Sequence, residues 1–218
     1  MSPGRGAPGR PRVPRAEREA EMLKAAAAVF GERGYHDASM AEIASRVGIT
    51  KPMLYTYFGS KEGLFAACGE EAATLLAERV RAAAALPDLA PDERLWRGLV
   101  SVFSFIGENR DLWFAFVPPP GASTPAGAQE ATARGRGALN ALMEELVVAN
   151  AVQQGVGAQA ASQAAPLAHA LAASVWAVAD WWLQHPDEPA ELQALRLMNF
   201  AWVGFGGILD GDLWLPRD

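Results

Sequence analysis

Residues 39–61, SMAEIASRVGITKPMLYTYFGSK, constrain the fold more than any other stretch, because they predict two short helices joined by a tight turn. Ser39 and Glu42 have the spacing of a capping box, in which each side chain satisfies a backbone N–H of the opening turn. Apolar residues then recur three and four positions apart, as on a buried helical face: Met40, Ile43, Ala44 and Val47. Gly48 follows them, where a left-handed backbone ends the helix and turns the chain.

The second helix is predicted to begin directly after this turn. Thr50 can cap it, and Pro52 is compatible with the first turn, where its missing N–H has no intrahelical partner. Leu54 and Phe58 lie four residues apart and are the expected inward anchors. The other faces then carry a cation, hydroxyls and small apolar groups, which are typical of a helix that reads a DNA groove: Thr50, Lys51, Met53, Tyr55, Thr56 and Tyr57.

With its neighbours, this stretch resembles the DNA-binding region of TetR-family transcriptional regulators. The resemblance covers residues 22–65, about a fifth of the chain, in four segments: VFGERGYHDAS, MAEIASRVGI, TKPMLYTYF and SKEGLF. It implies an all-α fold with an N-terminal helix-turn-helix head and a C-terminal helical body that dimerises and holds a small-molecule pocket. The head is expected at about residues 15–62 and the body at about residues 63–218.

The resemblance also implies roles for individual residues of the head. It assigns three of them to base edges: Lys51, Pro52 and Met53. It assigns four to the DNA backbone: Ser39, Tyr55, Tyr57 and Lys61. A cation at Lys61 does not complement the start of a helix, so binding to a phosphate explains it more easily than folding does. For Tyr55, a half-buried ring with a hydrated hydroxyl is an equal alternative.

The charge distribution agrees with DNA binding by the N-terminal part of the chain. The net charge is −6 overall, but residues 1–68 contain 10 Lys and Arg against 7 Asp and Glu. Residues 69–218 contain 9 against 18. The basic part therefore coincides with the DNA-binding motif, and an acidic body is discouraged from lying on phosphates.

Residues 1–14, MSPGRGAPGRPRVP, are built from residues that cannot form a core and predict a mobile basic arm. Four arginines in or next to this segment either track phosphates or remain solvated: Arg5, Arg10, Arg12 and Arg15. Nothing in it resembles a signal peptide, and the single cysteine, Cys68, fits a buried thiol in a reducing cytoplasm.

Residues 146–179 contain no charged side chain, but Asn, Gln, Gly and Pro interrupt them, which favours a soluble helix pair over a membrane span.

The body is predicted to be entirely helical and to end in two long apolar helices, at residues 163–184 and 190–209. These helices are apolar on too many faces for an exposed position, which indicates a helix-to-helix seam between two copies. The candidate seam comprises Leu171, Val175, Val178, Trp182, Leu195, Met198, Trp202 and Phe205. The resemblance implies the same homodimer contact, whereas the alternative is that these residues form only monomer core.

Bulky side chains in the middle of the body suggest an apolar cavity for a small molecule, as the resemblance also implies. The candidates are Phe103, Trp113, Phe114, Met143 and Trp176. Each of them is also compatible with ordinary core packing. Asp180 lies among apolar neighbours and needs a donor, a cation or a proton. It either meets a ligand or pairs with a group such as Arg97.

The sequence contains no arrangement that predicts an enzyme, a metal site or a cofactor. The three histidines, His36, His169 and His185, are scattered, and no phosphate-binding or nucleophile motif is present. The main hypothesis is therefore a cytoplasmic homodimeric repressor that occupies a palindromic operator until an apolar or aromatic effector binds. The alternatives are a ligand sensor without operator binding and a helical enzyme acting on small molecules.

Overall fold

The computed structural model describes residues 14–85, 89–111, 113, 126–153 and 158–209, with side chains omitted at 128, 131, 148–153, 158–164 and 203–209. These ranges form eight bounded helices and no β-strand, so the predicted all-α fold is confirmed. The helices are α1 (Arg15–Asp37), α2 (Met40–Val47), α3 (Lys51–Phe58), α4 (Lys61–Ala84), α5 (Pro91–Glu108), α6 (Ala126–Gln153), α7 (Ala158–Leu183) and α8 (Ala190–Leu209). Residues 1–13 of the predicted basic arm lie outside the described residues.

The helices pack around two hydrophobic clusters, and α4 contributes to both. The first cluster joins α1, α2 and α3 to the start of α4, and its fully buried side chains include Met22, Ile43, Leu54 and Leu64. The second cluster joins the rest of α4 to the helices of the body, with Leu76 on α4 fully packed inside it. Helix α4 is therefore a continuous element that runs from the core of the head into the core of the body.

Helix α1 is interrupted by a kink near its C-terminal end. Gly34 has φ 73° and ψ 169°, and one further turn follows before Ala38. Tyr35 in that turn packs with two rings of the first cluster, at centroid distances of 6.0 Å to Phe30 and 5.2 Å to Phe65. Burial, together with the nearby Glu62 carboxylate, raises the pKa of the Tyr35 hydroxyl to about 12.

The corner between α7 and α8 is fixed by a compact polar network. The indole Nε1 of Trp182 donates to the Glu188 carbonyl at 2.7 Å, and the fully buried Gln193 donates to the Glu188 carboxylate at 2.8 Å. Arg196 pairs with the same carboxylate and holds the pKa of Glu188 below its usual range. Helix α8 has the predicted bounds, whereas α7 begins five residues before the predicted start at Gln163.

Three of the eight residues of the predicted dimer seam are monomer core. Leu171, Val175 and Trp182 are at most 5% exposed within one chain, and Phe205 lies outside the described side chains. Among the described side chains of these helices, the exposed large apolar ones are Trp181, Leu195 and Phe200, at 43%, 48% and 73% exposure. Helices that are apolar on most faces give no periodic signal to show which face turns inward, and this explains the error.

Within the described residues, no helix has the length and apolarity to cross a membrane. The same residues contain no cluster of His, Cys, Asp and Glu that could hold a metal ion. Cys68 is buried as predicted, with its Sγ 3.6 Å from the Leu23 carbonyl oxygen, and burial raises its pKa to about 12.

Candidate nucleic-acid interface and internal cavity

Helix α2 holds the turn that presents α3. The hydroxyl of Ser39 accepts a hydrogen bond from the Ala41 N–H at 3.2 Å, so Ser39 is the predicted N-cap. Gly48 adopts the left-handed conformation, with φ 73° and ψ 32°. The second half of the predicted capping box is absent, because the Glu42 carboxylate contacts Arg46 at 3.0 Å instead.

Helix α3 buries one side and leaves the other in solvent. Leu54 is fully buried as predicted, and Phe58 is half-buried behind it. Thr50 occupies the N-cap position, but its side chain makes no capping hydrogen bond, contrary to the prediction. The exposed residues of this segment are Thr50, Lys51, Pro52, Tyr55 and Thr56, while Met53 and Tyr57 are half-buried against the first cluster.

Two cations lie beside the tyrosines of α3. The Nζ atom of Lys51 is 5.9 Å from the centre of the Tyr55 ring, and the Arg15 guanidinium is 5.2 Å from the centre of the Tyr57 ring. The sequence analysis grouped Arg15 with the arm, whereas the structure places it at the start of α1 against α3. We call Arg15 together with the exposed residues of α3 and Tyr57 the recognition face.

The cations of the recognition face differ from the nearby Arg46 in their partners. Arg46 forms two hydrogen bonds to the Glu32 carboxylate, at 2.8 and 2.5 Å, and a third to Glu42. These pairs raise the pKa of Arg46 and lower that of Glu32. In the described part of the chain, no carboxylate pairs with Arg15 or Lys51. Their charge is therefore available to an external anion.

Lys61 has a role in the folded chain that the sequence analysis missed. Its Nζ donates to the His36 carbonyl oxygen at 2.9 Å and lies 4.8 Å from the centre of the Tyr35 ring. Folding therefore explains Lys61 as well as phosphate binding does, because this contact ties the start of α4 to the end of α1. An ammonium has three donors, and two remain for other partners.

A cavity lies in the body between α4, α5, α6 and α7, and it contains about 330 Å³ of free space including its open mouth. Trp113, Met143 and Trp176 line it, as the sequence predicts for a cavity at these residues. The two tryptophan rings stack at 4.6 Å between centroids and 24° between planes. Its enclosed part is small.

Two other predicted cavity residues, Phe103 and Asp180, are not brought to this cavity. Phe103 is fully buried elsewhere, with its ring edge against Trp182 at 6.1 Å. It follows Val102, which does line the cavity, and adjacent residues of a helix point about 100° apart. Asp180 lies one turn beyond Trp176, and its carboxylate is 3.5 Å from the Gln184 amide nitrogen. Phe114 lies outside the described residues.

Two polar residues near the cavity were not singled out in the sequence. Asn140 lines the wall, and its Oδ1 accepts a hydrogen bond from Trp176 Nε1 at 3.3 Å. The guanidinium of Arg136, one turn earlier on α6, lies 5.3 Å from the centre of the Trp176 ring. The i, i+4 spacing of Arg136 and Asn140 on a helix next to aromatic residues is the signal that would have identified them.

Two sequence models of known families match most of the chain. The model described as "Bacterial regulatory proteins, tetR family" matches residues 22–68. The model described as "Tetracyclin repressor-like, C-terminal domain" matches residues 91–204. The first match covers the recognition face except Arg15, and the second covers α5, α6 and α7 of the four helices around the cavity.

Individual relatives agree with these matches. The chain is 54% identical over 56 residues to the HTH-type transcriptional activator FasR of Mycolicibacterium smegmatis, over 26% of each chain. It is 43% identical over 58 residues to the HTH-type transcriptional repressor BdcR of Escherichia coli, over 27% of this chain and 28% of BdcR. The matches thus span about a quarter of the length of these curated relatives. A solved TetR-like transcriptional regulator from Rhodococcus sp. RHA1 is 34% identical, with a TM-score of 0.67, over 90% of this chain and 100% of its own.

Proposed function

We propose that this chain, which belongs to the TetR family of bacterial regulators, acts as a cytoplasmic homodimeric repressor. It is a DNA-binding transcriptional regulator rather than an enzyme. In this proposal it occupies a palindromic operator and leaves it when a small apolar ligand fills the cavity of the body. The head comprises about residues 15–62, and the body about residues 63–218.

The recognition face is the observation that supports operator binding most strongly. Leu54 anchors α3 from behind, while Lys51 and Arg15 present unpaired cations on its outer side. We assign base edges to Lys51, Pro52 and Met53, with Lys51 donating to guanine and Met53 touching a thymine methyl group. We assign contacts with the DNA backbone to Ser39, Thr50, Tyr55, Tyr57 and Lys61, and to Arg15 as well.

The dimer in this proposal uses the exposed apolar side chains of α7 and α8. Trp181, Leu195 and Phe200 would be covered by the same residues of a second copy, as a two-fold interface requires. One α3 helix reads only a few base pairs, so two copies are needed, with half-sites about 34 Å apart or a multiple of this distance. Helices α7 and α8 belong to the body, so in this proposal the contact leaves both heads free for DNA.

Release from the operator requires the cavity to influence the head, and two connections support this coupling. Helix α4 runs through both hydrophobic clusters and lines the cavity with Leu76 and Val80. In addition, Asp111, two residues before Trp113, touches Gly31 of α1. A ligand shifts the equilibrium only if it binds more tightly to one arrangement of the heads than to the other.

Selection of bound fragments from a random DNA pool tests the proposed function. We expect a palindrome to be enriched and its binding to weaken steeply as salt concentration rises, because phosphate contacts release counterions. A promoter carrying the selected site, placed before a reporter gene, then distinguishes repression from activation. Failure to enrich any sequence, together with binding that does not respond to salt, would exclude operator recognition.

A further inference from the structure

The cavity wall offers a ligand little besides apolar surface. Its lining consists of aliphatic and aromatic side chains and one polar residue, Asn140. The Oδ1 atom of Asn140 already accepts a hydrogen bond from Trp176. The rings of Trp113 and Trp176 stack on each other and add aromatic surface to this wall. The main part of a ligand in this cavity is therefore expected to be apolar.

Arg136 places a positive charge next to a residue of this wall, although Arg136 itself is not one of the lining residues. It lies one turn before Asn140 on α6, and its guanidinium contacts the ring of Trp176, which lines the cavity. The side chain is half-buried, and its Nε atom is buried without a hydrogen-bond partner. A buried donor without a partner costs free energy, so the site is more stable when an acceptor is present.

The neighbouring Arg134 shows what a paired arginine on the same helix looks like. Its guanidinium nitrogens lie 3.3 Å from Glu130 and 3.9 Å from Glu70. Among the described residues, no carboxylate lies within such a distance of Arg136. The two arginines are separated by one residue, yet only Arg134 has its charge balanced by the chain.

We propose that the cavity binds an amphipathic carboxylate, with its apolar part against Trp113 and Trp176 and its carboxylate on Arg136. This inference rests on the proposed function, because it names the class of ligand for the same cavity. The planar guanidinium matches a carboxylate with two parallel hydrogen bonds, which an ammonium or an amide cannot reproduce. Since the enclosed part of the cavity is small, a ligand has to widen it, and a slender chain or a single flat ring system requires less widening than a bulky molecule.

Matched pairs of acids and alcohols test this inference on the full-length protein. Octanoate is compared with octan-1-ol, and naphthalene-1-acetate with 2-(1-naphthyl)ethanol, by isothermal titration calorimetry. We expect at least one acid to bind roughly 10 to 100 times more tightly than its alcohol, because hydrogen bonds to a charged group are the strong ones. Arg136→Gln should reduce the affinity for the acid to that for the alcohol, and should leave the alcohol unchanged.

Arg134→Gln is the matched control, since it removes a charge from the same helix without touching the cavity wall. It should bind the acids like the wild type. The affinity of Arg136→Lys for the acids should lie between those of the wild type and Arg136→Gln. Thermal unfolding of each variant shows whether the fold is kept. The inference is overturned if acids and alcohols bind equally, if Arg136→Gln binds the acids normally, or if neither acid binds up to its solubility limit.

Operator binding without ligand separates this inference from the proposed function. If the wild type and Arg136→Gln both retain the selected DNA, a negative result with the acids contradicts only the ligand class. If the wild type does not retain any DNA, the proposed function fails, whatever the cavity binds.

Discussion

Gly31 of α1 lies against Asp111 of the body so closely that a Cβ atom at Gly31 would be 2.9 Å from Asp111 Oδ1 and 3.0 Å from its Cα. Asp111 is separated by one residue from Trp113, which is 1% exposed and lines the cavity. This contact connects the cavity wall to the head without passing along α4. A ligand that displaces Trp113 is therefore expected to move Asp111 relative to α1.

Replacement of Gly31 by alanine should imitate part of that movement. The added methyl group meets the Cα atom of Asp111 as well as its side chain, so the segment has to shift, at a typical overpacking cost of about 1–3 kcal/mol. We expect Gly31→Ala to change operator affinity and its response to ligand, although alanine favours a helix. Fluorescence anisotropy with labelled operator measures both quantities. Gly69→Ala on α4 is the control, because a Cβ atom there meets nothing within 4 Å. Identical DNA binding by the two variants would contradict the coupling.

Arg15 and Lys61 should respond differently to truncation, although both are proposed to contact phosphates. Arg15→Ala should weaken binding to all DNA sequences and reduce the salt slope by about one, with little effect on stability. Lys61→Ala should do the same and also lose roughly 1 kcal/mol of unfolding free energy, because it removes the hydrogen bond to His36. Salt titrations and urea denaturation measure the two effects. An unchanged salt slope in both variants would remove these residues from the DNA interface.

Phe200 is the most exposed large apolar side chain of the described residues, and its replacement tests the dimer. Phe200→Asp should place a charge in the interface and dissociate the dimer at micromolar concentration, since a buried unpaired charge is unfavourable. Leu75→Asp is the control, because Leu75 is 40% exposed on α4, away from α7 and α8. Light scattering after size-exclusion chromatography measures the mass. A Phe200→Asp protein that stays dimeric would place the interface elsewhere.

Cys68 should make the head less stable in alkali. Burial raises its pKa to about 12 from an ordinary value of 9.0, so the folded state keeps the proton that the unfolded chain releases. The unfolding free energy that this raised pKa contributes is therefore fully present below about pH 9 and is lost as the pH rises towards 12. Urea denaturation at pH 7 and pH 10 should show a smaller loss for Cys68→Ala than for the wild type. Equal losses would show that Cys68 does not titrate in this range.

The sequence alone predicted the local features of the head well, because short-range geometry decides them. The cap at Ser39, the left-handed Gly48 and the buried Leu54 follow from spacing and from backbone limits that hold in any context. The helix bounds of α8 followed for the same reason, since Pro189 and the apolar run mark its start and course.

The errors arose where a contact joins residues that are distant in the chain. Lys61 and His36 are 25 positions apart, and nothing in local spacing indicates their hydrogen bond. The inward faces of α7 and α8 were undecided because both helices are apolar on most sides. Asp180 was singled out for its apolar neighbours in sequence, but its place one turn past the cavity depends on how the helices cross.

The central claim, that α3 reads a duplex, is tested most directly by Lys51→Ala. Binding of the selected operator and of a scrambled duplex is compared for this variant, the wild type and Lys24→Ala, which removes an exposed lysine of α1. The account predicts that Lys51→Ala alone lowers the preference for the operator about tenfold or more, since one good base contact is worth about 1–3 kcal/mol of discrimination. If Lys51→Ala keeps the full preference of the wild type, α3 does not read the operator through this side chain, and the assignment of the recognition face is contradicted.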